Sequence, residues 1–268
     1  MPNKIIDIIR NNRTYFEDFV TRSTYHSNRI EGSTLSYAET YAIIFNDNSL
    51  QLHATARELY EAINHKYAID YLLKNIDEPL SETMIKCLAQ IINKNINEID
   101  GYRHQQVMIR GVEHIPPAPA MVPQRMMYFV YNYNHSEALS PFERAAQFHI
   151  EYERIHPFSD GNGRTGRLLV NYELIRHELP PIVVPFERRA EYMELLAQKN
   201  VSGLSKFFEE QCESERQRME TILQAEPLAV PQNGIDAICS SATARAAEIN
   251  GQHPAPGPTP QKQETELN

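Results

Sequence analysis

One stretch decides the fold: residues 141–177, PFERAAQFHIEYERIHPFSDGNGRTGRLLVNYELIRH. It contains two segments with apolar residues three and four positions apart, which predicts helices over 141–155 and 163–177, each with one buried face. Leu179, Pro180 and Pro181 end the second helix. The glycine-rich turn between the two segments therefore leads directly into a helix N-terminus.

The same helical spacing recurs along most of the chain and predicts an all-α fold. One region differs, because Val107 and Ile109 alternate with other residues and Gly111 can turn. This pattern predicts a short β-hairpin flap and not a sheet. The remaining predicted helices are 3–12, 14–30, 36–46, 52–75, 80–97 (with Ser81 as N-cap), 123–136, 187–200 and 203–222.

The chain is predicted to divide into N-terminal helices over 1–75, a helical core over 76–224 and a tail over 225–268. The tail contains no Phe, Tyr or Trp but is rich in proline. It cannot bury enough apolar area to offset its ordering entropy. We therefore expect it to be largely disordered, with a short helix near 235–249.

Composition excludes several classes of function. Of 268 residues, 26 are Lys or Arg and 35 are Asp or Glu, which gives a net charge of −9. An acidic chain repels phosphate at long range, so we expect binding neither to nucleic acid nor to a membrane. The first residues indicate an amphipathic helix and not a signal peptide, and no run of 18 apolar residues suggests a membrane span. The three cysteines are far apart and odd in number, which suits a reducing compartment. The sequence predicts a cytoplasmic protein.

The turn at 156–167 combines features of an anion site. A helix N-terminus offers free backbone N–H groups and a partial positive charge. Gly161 and Gly163 lack a Cβ, which permits positive φ and close approach to a phosphate. Arg164 and Arg167 are three positions apart and share a helix face.

Two further side chains in the turn supply chemistry. Asp160 is a hard oxygen ligand suited to Mg²⁺ beside phosphates, and His156 can accept a proton near neutral pH. Together with the anion site, they predict phosphoryl or nucleotidyl transfer. His149 and Glu153 are spaced for a metal site, but without a third ligand a buried or capping role is favoured.

Alternative interpretations of this turn are weaker. Residues 161–166 formally match the dinucleotide fingerprint G-x-G-x-x-G, but that fingerprint follows a strand, and here the preceding segment has helical spacing. DGNG alone is typical of a simple turn, and a His beside Pro is often structural. Arginines near Glu151 and Glu153 can also form surface ion pairs. The presence of the glycine turn, the histidine and both arginines within twelve residues nevertheless favours a functional site.

The segment HPFSDGNGRTGR resembles the signature of the Fic/Doc family, H-P-F-x-D/E-G-N-G-R-x-x-R, and matches every fixed position. The resemblance extends to residues 101–103, 107–117 and 181–192 and covers roughly 24–210. It implies a Fic-type helical core with a β-hairpin flap. It also implies an enzyme that transfers AMP from Mg·ATP to a Ser, Thr or Tyr hydroxyl of a target protein.

The resemblance implies specific roles. His156 would be the general base, Asp160 would hold Mg²⁺, and Arg164 and Arg167 would contact the β- and γ-phosphates. The flap, about 107–117, would align an extended target segment by strand addition. Glu191 stands where relatives often have an aromatic residue next to the adenine-lining tyrosine. The implied ATP-binding residues are Val107, Met108, Ile109, Arg110, Asp160, Gly161, Asn162, Gly163, Arg164, Thr165, Gly166, Arg167 and Tyr192.

A second motif, SNRIEG at residues 27–32, resembles the inhibitory-helix pattern S/T-x-x-x-E-G/N of the same family. Ser27 and Glu31 are four positions apart and share one face of a helix predicted to end near residue 31. The resemblance implies a Glu31–Arg167 ion pair that blocks the γ-phosphate site. The alternative is a capping glutamate in an exposed pair worth less than about 1 kcal/mol.

The sequence leaves several questions open. Transfer of UMP, phosphocholine or phosphate is an alternative within the family, although Asn162 stands where the kinase-like variant has lysine. Removal of AMP from a modified target, with Glu31 activating water, is another. A non-catalytic binding module is a third. The target protein and the oligomeric state, a homodimer included, are also left open.

Overall fold

The computed structural model describes residues 3–45, 53–108, 113–136 and 139–225. The body of the chain forms one compact unit that extends to Leu223. Within these ranges, two 3-10 turns occur, at Pro119–Met121 and Phe186–Arg188. The helices of the described ranges are α1 (Lys4–Asn11), α2 (Arg13–Ile30), α3 (Tyr37–Phe45), α4 (Ala56–Lys74), α5 (Glu82–Asn93), α6 (Val122–His135), α7 (Pro141–Ile155), α8 (Asn162–Arg176), α9 (Arg189–Ala197) and α10 (Val201–Gln224).

The all-α prediction is confirmed for the part of the chain that the structure describes, which contains no strand. Every helix predicted within those ranges is present, with ends that differ by a few residues. The β-hairpin flap is not confirmed: residues 107–108 and 113–117 lie outside helices and strands, and 109–112 fall outside the described residues. The tail beyond residue 225, with its predicted helix at 235–249, also lies outside them. The division at residue 75 stays a prediction.

Helix α8 lies at the centre of the fold, in contact with α2, α4, α5 and α7. The sequence predicts one buried face for this helix, and that is wrong, because residues 164–175 are all buried. Leu168, Leu169 and Leu174 pack in the apolar interior, while Arg164 and Arg167 are buried on the same helix. Since charged groups are seldom buried without partners, both arginines require partners within the fold.

Local sequence explains where α7 and α5 begin. Ser140 and Glu143 form a reciprocal capping box at the start of α7, with Pro141 in the first turn. Ser81 Oγ accepts a hydrogen bond from Met84 N at 3.1 Å, which confirms the predicted N-cap of α5. These caps fix the N-terminal ends of two helices that pack on α8.

A buried ion pair joins α2 to α10. Both guanidinium terminal nitrogens of Arg22 donate to the Glu215 carboxylate at 2.8 Å, and Tyr15 Oη donates to Glu215 Oε1 at 2.7 Å. Glu215 is 3% exposed. The pair therefore anchors the long helix that ends next to Glu31.

Replacing Glu215 with alanine is expected to lower the free energy of unfolding by about 3–5 kcal/mol, because it leaves a buried guanidinium with an incomplete set of partners. For a body of this size, that corresponds to a melting temperature lower by roughly 10 °C. Thermal denaturation followed by circular dichroism measures the shift. Glu215→Gln keeps an acceptor for Tyr15, so its melting temperature should fall by less. An unchanged melting temperature in Glu215→Ala would contradict the role of the Arg22–Glu215 pair as an anchor.

No helix within the described ranges combines the length and apolar character needed to span a lipid bilayer.

Candidate active site

The loop between α7 and α8 is held by its own side chains. Asn162 Oδ1 accepts from Phe158 N, and Asn162 Nδ2 donates to Phe158 O, both at 2.9 Å. His156 ends α7 in the left-handed region with φ 49°, which turns the chain sharply out of the helix. Asn162 therefore fixes the loop, and its amide is engaged with loop backbone.

The start of α8 has the properties predicted for an anion site. Gly161 is its N-cap, with φ 75° and no capping side chain, so the first-turn N–H groups remain available. A Cβ on Gly161 would lie 2.6 Å from Asn93 Nδ2, which itself donates to Asp160 O at 3.2 Å. Glycine is required here both for the backbone angle and for close packing against α5.

His156 lies directly before this N-terminus. Its Nδ1 is 3.4 Å from the carbonyl oxygen of Glu153, so a proton on Nδ1 leaves Nε2 free as a base. Burial, with a smaller contribution from Arg103, lowers the pKa of His156 below its ordinary value. The imidazole is therefore neutral near pH 7, as a general base requires.

Asp160 lies between two guanidinium groups. Arg164 Nη2 is 3.1 Å from Asp160 Oδ1, and Arg57 Nη2 is 2.7 Å from Asp160 Oδ2. Burial opposes ionisation, but these arginines and the N–H of Gly161 hold the pKa of Asp160 below its ordinary value. The side chain is an ionised carboxylate at neutral pH.

This carboxylate fits a magnesium site of one kind. Among the described residues, no group of three or more His, Cys, Asp or Glu side chains could hold a metal ion. Mg²⁺ commonly binds through one or two carboxylates together with substrate phosphates and water, and dispenses with a full protein cage. Asp160, beside the start of α8, matches that arrangement.

Arg164 is 2% exposed and contacts Glu61 Oε1 at 3.2 Å as well as Asp160. Its Nε is buried and has no hydrogen-bond partner among the described residues. The two carboxylates hold the Arg164 guanidinium in place. Because leaving a buried N–H donor without a partner costs free energy, an anion that accepted a hydrogen bond from this guanidinium would be bound favourably.

Arg167 is joined to the end of α2. Its Nη2 donates to Glu31 Oε1 at 2.7 Å and to Ser27 O at 3.1 Å, and its Nε donates to Ser27 Oγ at 3.0 Å. Burial opposes ionisation of Glu31, but Arg167 lowers its pKa below the ordinary value. The contact is a charged pair in which 38% of the Glu31 side chain remains exposed. Glu31 therefore lies at the edge of the site, partly open to solvent.

Gly163 leaves space for this contact. A Cβ built on it would lie 2.4 Å from Glu31 Oε1 and 3.1 Å from Arg167 Nη1. Unlike Gly161, it has helical backbone angles, so its role is close approach alone. The Glu31 carboxylate occupies space next to the first turn of α8, where an anion would bind.

Other predicted site residues lie further back. Thr165 is 0% exposed, and Gly166 allows α7 to approach α8 closely, since a Cβ there would lie 2.4 Å from Glu153 Oε1. Tyr192 is 1% exposed, and its Oη is 2.6 Å from His149 Nε2. These residues shape the wall behind Arg167.

The flap residues are only partly described. Met108 is 84% exposed, Val107 is half-buried, and Ile109 and Arg110 fall outside the described residues. A cavity of about 560 Å³ lies between residues 114–117 and α7 and is lined by Ile115, Ile150 and Arg154, among others. The C-terminal part of the predicted flap thus borders a cleft beside the end of α7.

Sequence reasoning missed several positioning residues. Arg103 donates to His156 O at 2.8 Å and to Gln105 O at 2.9 Å, and so joins the base of the predicted flap to the loop. Arg57 and Glu61, one turn apart on α4, contact Asp160 and Arg164. Arg103 lies in the stretch that resembles the family, so the sequence offered an indication of its role. The sequence offered no such indication for Arg57 and Glu61, because only folding brings α4 to the loop.

Taken together, the fold and the site define a class: an all-α protein in which a glycine-rich loop leads into the N-terminus of a central helix that bears two buried arginines. The Fic/DOC family model matches residues 79–174, which include this loop and most of α8. The chain therefore contains a Fic/DOC family domain.

Comparison with known proteins agrees. The chain is 33% identical over 190 residues to a protein from Drosophila virilis and 34% identical over 190 residues to one from Nematostella vectensis, both named protein adenylyltransferase Fic. Each match covers 68% of this chain but 38% and 44% of the relative. The chain thus spans about two fifths of the length of these curated relatives.

Solved structures share the fold. A Fic domain containing signaling protein from Bacteroides thetaiotaomicron superposes with a TM-score of 0.72 at 25% identity, covering 80% of this chain and 90% of that one. Fic-1 (residues 134–508) from C. elegans gives a TM-score of 0.67 at 28% identity, covering 82% and 66%. The helical arrangement around α8 is therefore that of Fic-domain proteins.

Proposed function

We propose that this protein is a self-inhibited protein adenylyltransferase, which transfers AMP from Mg·ATP to a Ser, Thr or Tyr hydroxyl of a target protein. The observation that carries the proposal is the set of groups around the α8 N-terminus: a neutral imidazole, an ionised carboxylate and two buried guanidinium groups. The relatives named adenylyltransferases support the choice of AMP.

In the proposed reaction, His156 Nε2 accepts the proton of the target hydroxyl. The hydroxyl oxygen forms a bond to the α-phosphorus, and the bond between that phosphorus and the oxygen bridging to the β-phosphate breaks. Pyrophosphate leaves, and the target keeps the AMP. The lowered pKa of His156 supports this role, since the base is unprotonated at neutral pH.

The anion site holds the triphosphate in this proposal. Backbone N–H groups of Asn162 and Gly163 and the buried Arg164 bind phosphate oxygens, and Arg167 binds the γ-phosphate. Asp160 holds Mg²⁺, which neutralises charge on the phosphates when bound. Positioning and charge neutralisation supply most of what phosphate-transfer chemistry requires.

Glu31 acts as the inhibitor. It pairs with Arg167 at 2.7 Å and lies against Gly163, so it competes with the γ-phosphate for both the guanidinium and the adjoining space. Even a small misplacement of the α-phosphorus costs orders of magnitude in rate. The exposed 38% of the Glu31 side chain supports a role as a removable group.

The target is proposed to dock as an extended segment along the flap, about 107–117. Met108 and Ile115 are 84% and 71% exposed, so apolar side chains are available to a docked partner at both ends of this segment. The cavity beside Ile115 can accept a side chain of the partner.

The position of the transferred label tests the class of reaction. We expect Glu31→Gly protein with Mg²⁺ to incorporate label from ATP labelled at the α-phosphate and none from ATP labelled at the γ-phosphate. Electrophoresis followed by autoradiography gives the readout. Label from the γ-position identifies a kinase instead, and preferential use of UTP identifies a different nucleotidyl donor.

A further inference from the structure

Arg154 is held against the predicted flap by two reciprocal hydrogen bonds. Its Nη2 donates to His114 Nδ1 at 2.8 Å, and His114 Nε2 donates to the carbonyl oxygen of Arg154 at 2.9 Å. A guanidinium can only donate and a carbonyl can only accept, so the proton of the imidazole lies on Nε2 and the ring is neutral. The two residues therefore join the C-terminal part of the predicted flap to the last turn of α7, and together they carry one positive charge.

This positive charge has no counter-ion in the described part of the chain. There, no carboxylate lies within ion-pair distance of Arg154, and its Nε and Nη1 have no acceptor. The residue is half-buried, and burial lowers the pKa of Arg154 below its ordinary value. An arginine stays charged all the same. A carboxylate that reached this partly desolvated cation would therefore be bound favourably.

The guanidinium has space in front of it. Arg154 lines the cavity of about 560 Å³ beside Ile115. The walls of this cavity include Ile150 and Ile155 of α7, so the aliphatic part of a side chain can pack there while its polar end meets the guanidinium. The cavity thus fits a side chain with a short apolar stem and a negative end.

Two further charged residues line the cavity. Glu151 belongs to α7 and Arg125 to α6. Burial raises the pKa of Glu151 above its ordinary value, and the positive charge of Arg125 opposes this rise. Even with Glu151 ionised, its charge is offset by Arg125, and Arg154 remains as a surplus positive charge. The cavity is therefore electropositive on a chain whose net charge is −9.

The cavity lies close to the proposed general base. Arg154 stands two residues before His156, which places the two backbones about 3 Å apart along the axis of α7. An extended segment advances about 3.4 Å per residue. A target residue within about three positions of the reacting hydroxyl can therefore reach the cavity.

We propose that this cavity is a specificity subsite, in which Arg154 binds the carboxylate of a Glu or Asp side chain of the target near the modified hydroxyl. His114 is a positioning residue: it orients the guanidinium through the reciprocal hydrogen bonds and does not touch the target. This inference rests on the proposed function, because docking of the target along 107–117 is part of that proposal.

Pairs of synthetic peptides test the preference. Each peptide carries one acceptor hydroxyl, in Ser, Thr and Tyr versions, and either Glu or Gln up to three positions away. The Glu31→Gly protein is the parent, with Mg²⁺ and ATP labelled at the α-phosphate. We expect the best-placed Glu peptide to be labelled about tenfold faster than its Gln counterpart, because a charge-assisted hydrogen bond to a partly exposed cation contributes roughly that factor.

Substitutions of Arg154 identify the group that reads the charge. Arg154→Gln should reduce the ratio to below about twofold, and Arg154→Glu should favour a peptide with Lys in place of Glu. Arg154→Lys keeps the charge without the forked guanidinium, so its ratio should be intermediate. Lys4→Gln is the matched control and should keep the parent's ratio: it removes an exposed positive charge from α1, whose N-cap Asn3 contacts Ile175 at the opposite end of α8 from the site.

A binding measurement needs neither transfer nor a substitution. The α-amide of N-acetylglutamate and that of N-acetylglutamine are titrated into the full-length protein, with and without saturating ATP, while NMR follows the Nε–H signal of Arg154. The signal is assigned by its loss in Arg154→Lys. We expect the glutamate compound to shift this signal and the glutamine compound to leave it in place.

The outcomes separate this inference from the proposed function. Equal labelling of Glu and Gln peptides at every position, or an unchanged ratio in Arg154→Gln, overturns the inference and leaves AMP transfer standing. An Arg154 signal that moves with ATP and with neither compound assigns the cavity to the nucleotide and also overturns it. A parent that labels itself but no peptide overturns docking of an extended segment, and this inference with it. If no label is taken up at all, the proposed function fails, and the NMR titration decides separately whether the cavity binds a carboxylate.

Discussion

Replacing Glu31 with glycine is expected to raise AMP transfer from ATP by about 10- to 40-fold. The carboxylate holds Arg167 through a charged hydrogen bond at 2.7 Å, and bonds of this type contribute about 1.5–3 kcal/mol. Because 38% of the Glu31 side chain is exposed, the lower half of that range is expected. The measurement is the initial rate of label incorporation from α-labelled ATP with Mg²⁺.

Two variants provide matched controls for this result. Ser27→Ala removes only the bond from Arg167 Nε to Ser27 Oγ, so the rate should rise by less than about tenfold. Glu209→Gln, an exposed charge change on α10, should leave the rate at the wild-type level. Equal rates for wild type and Glu31→Gly would show that the Glu31–Arg167 pair is a structural contact and not a brake.

Removing the imidazole of His156 is expected to lower AMP transfer by at least about 100-fold in the Glu31→Gly background, because general base catalysis contributes roughly 10²- to 10⁴-fold. ATP affinity should change by less than about threefold, since the anion site is built from other residues. The measurements are the labelling rate and the Kd for ATP on the same protein. Labelling at the parent's rate in His156→Ala contradicts the assignment of the base.

The backbone conformation of His156 determines which variant is the right control for His156→Ala. His156 has φ 49°, a conformation that Asn adopts more readily than Ala, so His156→Asn separates lost chemistry from backbone strain. The pH profile of the parent adds a second readout. Since burial lowers the pKa of His156, activity should persist into mildly acidic solution and then fall about tenfold per unit as the imidazole becomes protonated below that pKa.

The sequence predicted much of the candidate site because its chemistry is contiguous. The loop from His156 to Gly163 and both arginines lie within twelve residues, and the free helix N-terminus follows from Gly161 as N-cap. The predicted pairing of Glu31 with Arg167 is present as a hydrogen-bonded contact. Its inhibitory role, like the roles of the other site residues, stays a prediction for the experiments above.

Contacts between distant segments could not be predicted in the same way. Arg57 and Glu61 reach Asp160 and Arg164 from α4, and Arg103 fixes the loop from about fifty residues upstream. Surface arginines and glutamates with these spacings are common, so periodicity alone gives them no functional weight. The predicted single buried face of α8 was wrong for a related reason, because helices packed on several sides bury it almost completely.

The sequence by itself determined the all-α architecture, the helix boundaries near their caps, and a glycine-rich turn that leads into a helix N-terminus, because these depend on local spacing and local backbone preferences. Only the tertiary structure decided the electrostatics. The ionisation of Asp160 and the neutral imidazole of His156 arise from burial and from charges contributed by other helices. Burial and through-space charge depend on which helices meet around α8, and that is a property of the folded molecule.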